Sequence, residues 1–128
     1  MTTKKLLHVE DDPDIRTIAG IALETVGGFN LKQCESGNEA LGIAEDFAPD
    51  ILLLDAMMPG LSGAETLVAL RKIDSMAGVP AIFMTAKVQP EEVKEFLSLG
   101  AIGVITKPFD PMKLSDEIDA MIKSSEIC

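Results

Sequence analysis

Ile51-Leu52-Leu53-Leu54, four apolar residues in an unbroken row that ends on Asp55, is the stretch whose reading decides the fold. A strand with one face in water alternates apolar and polar residues, so a continuous run of strand length reads as a strand covered by helices on both faces. Ala81-Ile82-Phe83-Met84 has the same character. Working outward from these two, apolar runs at Lys5–Val9, 29–34, 51–54, 80–84 and Gly103–Thr106 alternate with segments of helical period five times over. That alternation is the pattern of strand–helix units feeding a parallel sheet, an α/β fold. Phe29-Asn30-Leu31-Lys32, by contrast, alternates in polarity, which marks the second strand as an edge.

The helix starts are written in capping chemistry. Asp12 precedes Pro13 and Asp110 precedes Pro111, each an N-cap acid followed by proline at the first helical position. Ser36-Gly37-Asn38-Glu39 and Ser62-Gly63-Ala64-Glu65 have the spacing of capping boxes, in which hydroxyl and carboxylate each accept from an orphan backbone N–H. Behind these starts the helical spacing predicts stripes packed on the sheet. They are Ile15, Ile18, Ala19 and Ala22; Ala40, Leu41, Ala44 and Phe47; Leu67 and Leu70; Val93, Phe96 and Leu97; Leu114, Ile118, Met121 and Ile122. No segment repeats another and no Pro/Gly/Ser-rich linker intervenes, so the chain reads as one domain, 1–128, with a core of about 4–123.

Hydrophobic residues make up 47% of the chain, which excludes a disordered protein. The formal net charge of −10 would repel a phosphate backbone, so no nucleic-acid partner is expected. Between Lys5 and the acidic run at Glu10 stand only four mostly apolar residues, too few for a signal segment or a membrane span. A cytoplasmic protein with no membrane partner is the expectation. Cys34 and Cys128 stand far apart without metal-ligand spacing and read as two reduced thiols.

In an open parallel sheet the chemistry collects outside the carboxyl ends of the strands. Those positions hold Glu10, Asp11 and Asp12 after the first strand, Asp55 after the third, Thr85 after the fourth and Lys107 after the fifth. Carboxylates crowded into one crevice repel, and a hard, oxygen-seeking ion such as Mg2+ resolves the conflict. Asp55 is the natural nucleophile, since a carboxylate can carry a phosphoryl group as an aspartyl-phosphate. Lys107 and the metal would neutralise the transferring group, and Thr85 would offer its hydroxyl to a phosphoryl oxygen. Ala86 is small enough to keep the approach open.

Glu10-Asp11-Asp12-Pro13, Leu54-Asp55-Ala56-Met57-Met58-Pro59-Gly60, Thr85-Ala86 and Lys107-Pro108-Phe109, four motifs in order at four strand ends, resemble the receiver domain of response regulators across essentially the whole chain. The resemblance implies a flavodoxin-like sheet of five parallel strands in the order 2-1-3-4-5, flanked by five helices, and a cis Lys107–Pro108 bond. It implies Asp55 as phospho-acceptor, Lys107 and Thr85 as its catalytic companions, and a metal site of Glu10, Asp11, Asp55 and the backbone carbonyl of Met57. It further implies a two-component phosphorelay, in which a sensor histidine kinase or histidine phosphotransfer protein donates the group and a separate protein target reads the result. Such a domain is no enzyme toward outside substrates and catalyses only its own phosphoryl transfer and dephosphorylation.

Two departures from that pattern matter. Val104 stands three residues before the lysine, where many receivers carry an aromatic switch, so the response is expected to rest on Thr85 and on the fourth helix, fifth strand and fifth helix. Met57 and Lys87 stand where fast-hydrolysing members carry polar groups, which predicts a long-lived phosphoryl group. The plainer readings are a hydrogen-bonded core histidine for His8, helix capping for Asp12, packing and backbone duty for Met57 and Met58, and solvated charge for Lys94. Among other functions, a hydrolase with an aspartyl-phosphate intermediate would carry a second acid at position 57. A flavin carrier would need a phosphate cradle where Glu10-Asp11-Asp12 stands. A degenerate receiver serving only as an interaction scaffold remains as the alternative.

Overall fold

The structure is a computed structural model that describes residues 4–86 and 89–127. Lys87, Cys128 and the first three residues lie outside the described residues. Five parallel strands, β1 (Lys5–Val9), β2 (Asn30–Cys34), β3 (Ile51–Asp55), β4 (Ala81–Thr85) and β5 (Gly103–Thr106), form one sheet in the order β2-β1-β3-β4-β5. Five α-helices connect and cover them: α1 (Pro13–Gly20), α2 (Gly37–Phe47), α3 (Gly63–Leu70), α4 (Pro90–Ser98) and α5 (Leu114–Ile127). The expected α/β class, strand order and edge position of β2 are all observed.

Successive side chains of the two apolar strands enter opposite cores, as the pleat requires. Leu52, Leu54, Ala81 and Phe83 join α2 and α3 on one face, while Ile51, Leu53, Ile82 and Met84 join α1 and α5 on the other. Every side chain of β3 and β4 is buried, and each fully buried leucine or isoleucine contributes about 1.5–3 kcal/mol. β2 shows the half-exposed pattern of an edge.

Three helix expectations are corrected. Ile18 and Leu97 are 46% and 45% exposed instead of packed. On the first helix the buried face runs through Ala19, Ala22 and Leu23, and Ile21–Val26 continues it as a π-helical turn, in which Gly27 N–H donates to Ala22 O at 3.0 Å. The extra residue of such a turn rotates the face that meets the sheet, which a regular spacing cannot anticipate. The buried Ser115 hydroxyl of α5 also donates to Ala22 O, at 3.0 Å, and a Cβ on Gly27 would collide with that hydroxyl. Secondly, the fifth helix begins at Leu114, because Asp110 closes a separate turn through Met112 N–H at 2.9 Å. Thirdly, Ser62 and Glu65 form the reciprocal box, but Glu39 reaches past Ser36 to the Glu35 N–H at 3.0 Å.

The start of α3 is pressed against the end of β3. Gly63 N–H donates to Ala56 O at 3.1 Å, and a Cβ at position 63 would run into the carbonyl oxygen of Asp55. Backbone cannot yield as a side-chain tip can, so Gly63→Ala should destabilise the fold by roughly 1–3 kcal/mol and displace the Asp55 strand end. Urea unfolding, with amide shifts at 55–57, checks this. A variant with parental stability and unmoved shifts would show that the contact is slack.

Candidate functional site

The carboxyl ends of β1, β3, β4 and β5 bring together the residues that the sequence singled out. Glu10, Asp11, Asp55, Thr85 and Lys107 line one crevice of about 250 Å3, with Met57 and Ala86 at its edge. One carboxylate oxygen from each of Glu10, Asp11 and Asp55 lies within 4.8 Å of the others. Lys107 crosses from the far side of the sheet, its Nζ 2.7 Å from Glu10 Oε1 and 2.9 Å from Asp55 Oδ1. The Met57 N–H also donates to Asp55 Oδ1, at 3.4 Å. Thr85 is buried beside them, paired with Thr106 in the β4–β5 register. The Lys107–Pro108 bond is cis, as the resemblance implied.

Glu10 is fully buried, and Asp55 and Thr85 are nearly so. Burial, opposed by the Lys107 hydrogen bond and reinforced by Asp55, pushes the Glu10 carboxyl up to about 7. Burial alone would weaken the Lys107 ammonium, but the hydrogen bonds and charges of Glu10 and Asp55 outweigh it and raise its pKa. Three carboxylates therefore face one ammonium. The donor set is hard oxygen throughout, so the crevice fits a divalent cation of the Mg2+ or Ca2+ kind far better than a soft metal.

Asp12 lies at the rim, and its Oδ1 caps α1 by accepting from Asp14 N–H at 2.8 Å and Ile15 N–H at 3.3 Å. His8 is a buried core residue: Gln33 Nε2 meets its Nδ1 at 3.1 Å, and burial, with Lys107 and Arg16 nearby, lowers its pKa to about 3. It is neutral across the physiological range. Met58 packs in the core, but the side chain of Met57 does not, being 69% exposed. Lys94 is exposed, as a solvated charge should be, and Cys34 is a buried free thiol whose pKa burial and Glu39 push up to about 12.

Two supporting residues escaped the sequence reading. Arg16, one turn into α1, donates from Nη1 to the carbonyls of Glu10 at 2.8 Å and Asp11 at 3.1 Å, and so fixes the loop that carries both acids. Gln33 ties this arrangement to the edge strand, since its Nε2 also donates to Arg16 O at 2.8 Å. An arginine six residues past a crevice acid and on its helix was the available signal for the first. Nothing local pointed to the second.

The model of the response regulator receiver domain matches residues 6–119. The phosphate regulon transcriptional regulatory protein PhoB of Pseudomonas aeruginosa is 34% identical over 123 residues, which are 96% of this chain and 53% of that protein. The alkaline phosphatase synthesis transcriptional regulatory protein PhoP of Bacillus subtilis is 36% identical over 97% of this chain and 50% of its own length. The chain thus spans about half the length of these curated relatives. Among solved structures, the chemotaxis protein CheY4 of Vibrio cholerae superposes with a TM-score of 0.88 at 28% identity, covering 94% of this chain and 99% of its own. Among the described residues no helix is long and apolar enough to cross a membrane. The fold, the crevice and these matches agree: the chain belongs to the response regulator receiver domain family of two-component systems.

Proposed function

We propose that this domain is a phosphorylation-dependent switch in which Asp55 accepts a phosphoryl group from a sensor histidine kinase or a histidine phosphotransfer protein. The observation that carries the reading is the convergence on Asp55, at the end of β3, of two further carboxylates from the end of β1 and the Lys107 ammonium from the end of β5. Mg2+ would be held by Glu10, Asp11, Asp55 and the Met57 carbonyl. When bound, it supplies positive charge to the phosphoryl oxygens. Asp55 is aimed by the two donors on Oδ1, which leaves Oδ2 to form the bond to phosphorus as the bond to the donor nitrogen breaks. Lys107 neutralises charge on the transferring group, and Thr85 donates its hydroxyl to a phosphoryl oxygen. The product is a cytoplasmic signal read by a separate protein target through direct contact, with neither nucleic acid nor membrane engaged by this domain. No turnover of outside substrates is part of this reading.

The scaffold alternative predicts no response to a phosphoryl mimic. Titrating the protein with Mg2+ and beryllofluoride while recording amide spectra separates the two. Saturable shifts around 55–57, 85 and 107 that need both components support the switch, and unchanged spectra would leave only the scaffold.

The route from Thr85 outward is unusual in this chain. α4 buries no residue fully, and its Phe96 ring stacks on Phe83 of β4 with centroids 4.5 Å apart and planes 25° from parallel. Val104 is partly buried against the same core and has no ring to swing inward. A shift of the loosely packed α4 is therefore the way to change the α4–β5–α5 surface. Val104→Ala should keep the spectral response to beryllofluoride while losing about 1 kcal/mol of stability. Loss of the response in a folded variant would assign the relay to Val104.

A further inference from the structure

Two methionines are strongly exposed among the described residues, Met57 at 69% and Met112 at 70%, whereas Met58, Met76 and Met84 are buried. Met112 lies in the turn before α5, away from the acidic crevice, but Met57 lines that crevice with Glu10, Asp11, Asp55, Thr85 and Lys107. An open thioether is the form of methionine that peroxides oxidise, and the reaction changes its chemistry in kind: a weak acceptor becomes a strongly polar sulfoxide.

We propose that Met57 is a redox-sensitive modification site whose oxidation by a peroxide shortens the lifetime of the phosphoryl group on Asp55. In the step, a sulfur lone pair attacks one peroxide oxygen, the O–O bond breaks, and the second oxygen leaves as water or alcohol after taking up a proton. Sulfur is oxidised by two electrons and the peroxide is reduced by two. Hydrolysis of an aspartyl-phosphate needs a water held in line with the scissile bond. The thioether holds water poorly, while the sulfoxide oxygen is a strong acceptor placed at the mouth of the same crevice. The effect is reversible in principle, because methionine sulfoxide reductases restore the thioether. This inference rests on the phosphoryl-acceptor reading of Asp55.

The test uses the full chain, a small phosphodonor with Mg2+, and hydrogen peroxide. Peptide mapping should find one added oxygen on Met57 and on Met112, with Met58, Met76 and Met84 unmodified. The acid-labile Asp55 adduct should then decay several-fold faster in treated than in untreated protein, and reductase treatment should restore the slower decay. Each variant is compared with its own untreated sample: Met112→Leu should keep the peroxide effect and Met57→Leu should lose it. The proposal is overturned if Met57 stays reduced while Met112 is oxidised, if decay is the same before and after oxidation, or if Met57→Leu still responds. Absence of any Asp55 adduct before peroxide is added would overturn the phosphoryl reading itself, and the redox coupling with it.

Discussion

Asp55→Asn should reduce the acid-labile adduct formed with a small phosphodonor and Mg2+ by at least about 1000-fold, the scale on which an enzyme loses rate when its reacting group is removed. The amide has nearly the shape of the carboxylate, so the end of β3 should keep its place. Its nitrogen is a poor nucleophile and its oxygen carries no full charge to attack phosphorus. The change also removes one of the three negative charges that face Lys107, which should leave the metal-free fold at least as stable as the parent. Intact-mass measurement before and after acid treatment, with circular dichroism as the folding control, decides the matter. An undiminished adduct in the variant would move the acceptor to another residue.

The second large effect is expected at Asp11. Lys107 is committed to Glu10 and Asp55, and among the described residues Asp11 has no ion-pair partner, so its charge is the surplus that a cation would relieve. Asp11→Ala should lower Mg2+ affinity by at least about 100-fold, more than the 10–100-fold typical of losing a supporting hydrogen bond. The metal-free variant should melt roughly 2–6 °C higher, because one like-charge repulsion is gone. Calorimetry and thermal unfolding read the two arms, and parental Mg2+ affinity would remove Asp11 from the site. With neither Trp nor Tyr in the chain, aromatic quenching gives no signal.

The raised pKa of Glu10 adds a pH dependence to the parent protein. The ionised carboxylate is the form that binds a cation, and burial holds its proton on up to about pH 7. Mg2+ affinity should therefore be full above that value and fall as pH drops through it, with protons released on binding. In the metal-free protein the sign for stability is opposite. A folded-state pKa raised above the ordinary 4.5 favours the fold fully below that ordinary value, and the contribution is lost as pH rises toward about 7. Mg2+ affinity that is flat from about pH 6 to 8 would show that Glu10 is already ionised there.

Much of this molecule was legible because its signals are local. Four adjacent apolar residues before Asp55 need only the pleat to become a two-faced strand, and a serine three residues before a glutamate needs only one helical turn to become a cap. The identity of the crevice residues followed from the same logic, since each stands at the last residue of a strand or just beyond it and parallel strands end together. What the sequence left open depends on how the elements turn and press on one another. Ile18 and Leu97 fit a helical stripe, yet which side of a helix meets the sheet is set by its rotation about its own axis, and in the first helix the π turn at Ile21–Val26 changes that rotation. Lys107 reaches Asp55 across 52 positions of sequence, and Gln33 reaches His8 across 25, contacts that exist only once the sheet has closed. Burial in that closed crevice is what lifts the Glu10 proton affinity, and the close approach of α3 is what requires glycine at position 63. Desolvation and backbone crowding belong to the assembled molecule, because both depend on neighbours that the local chain does not contain.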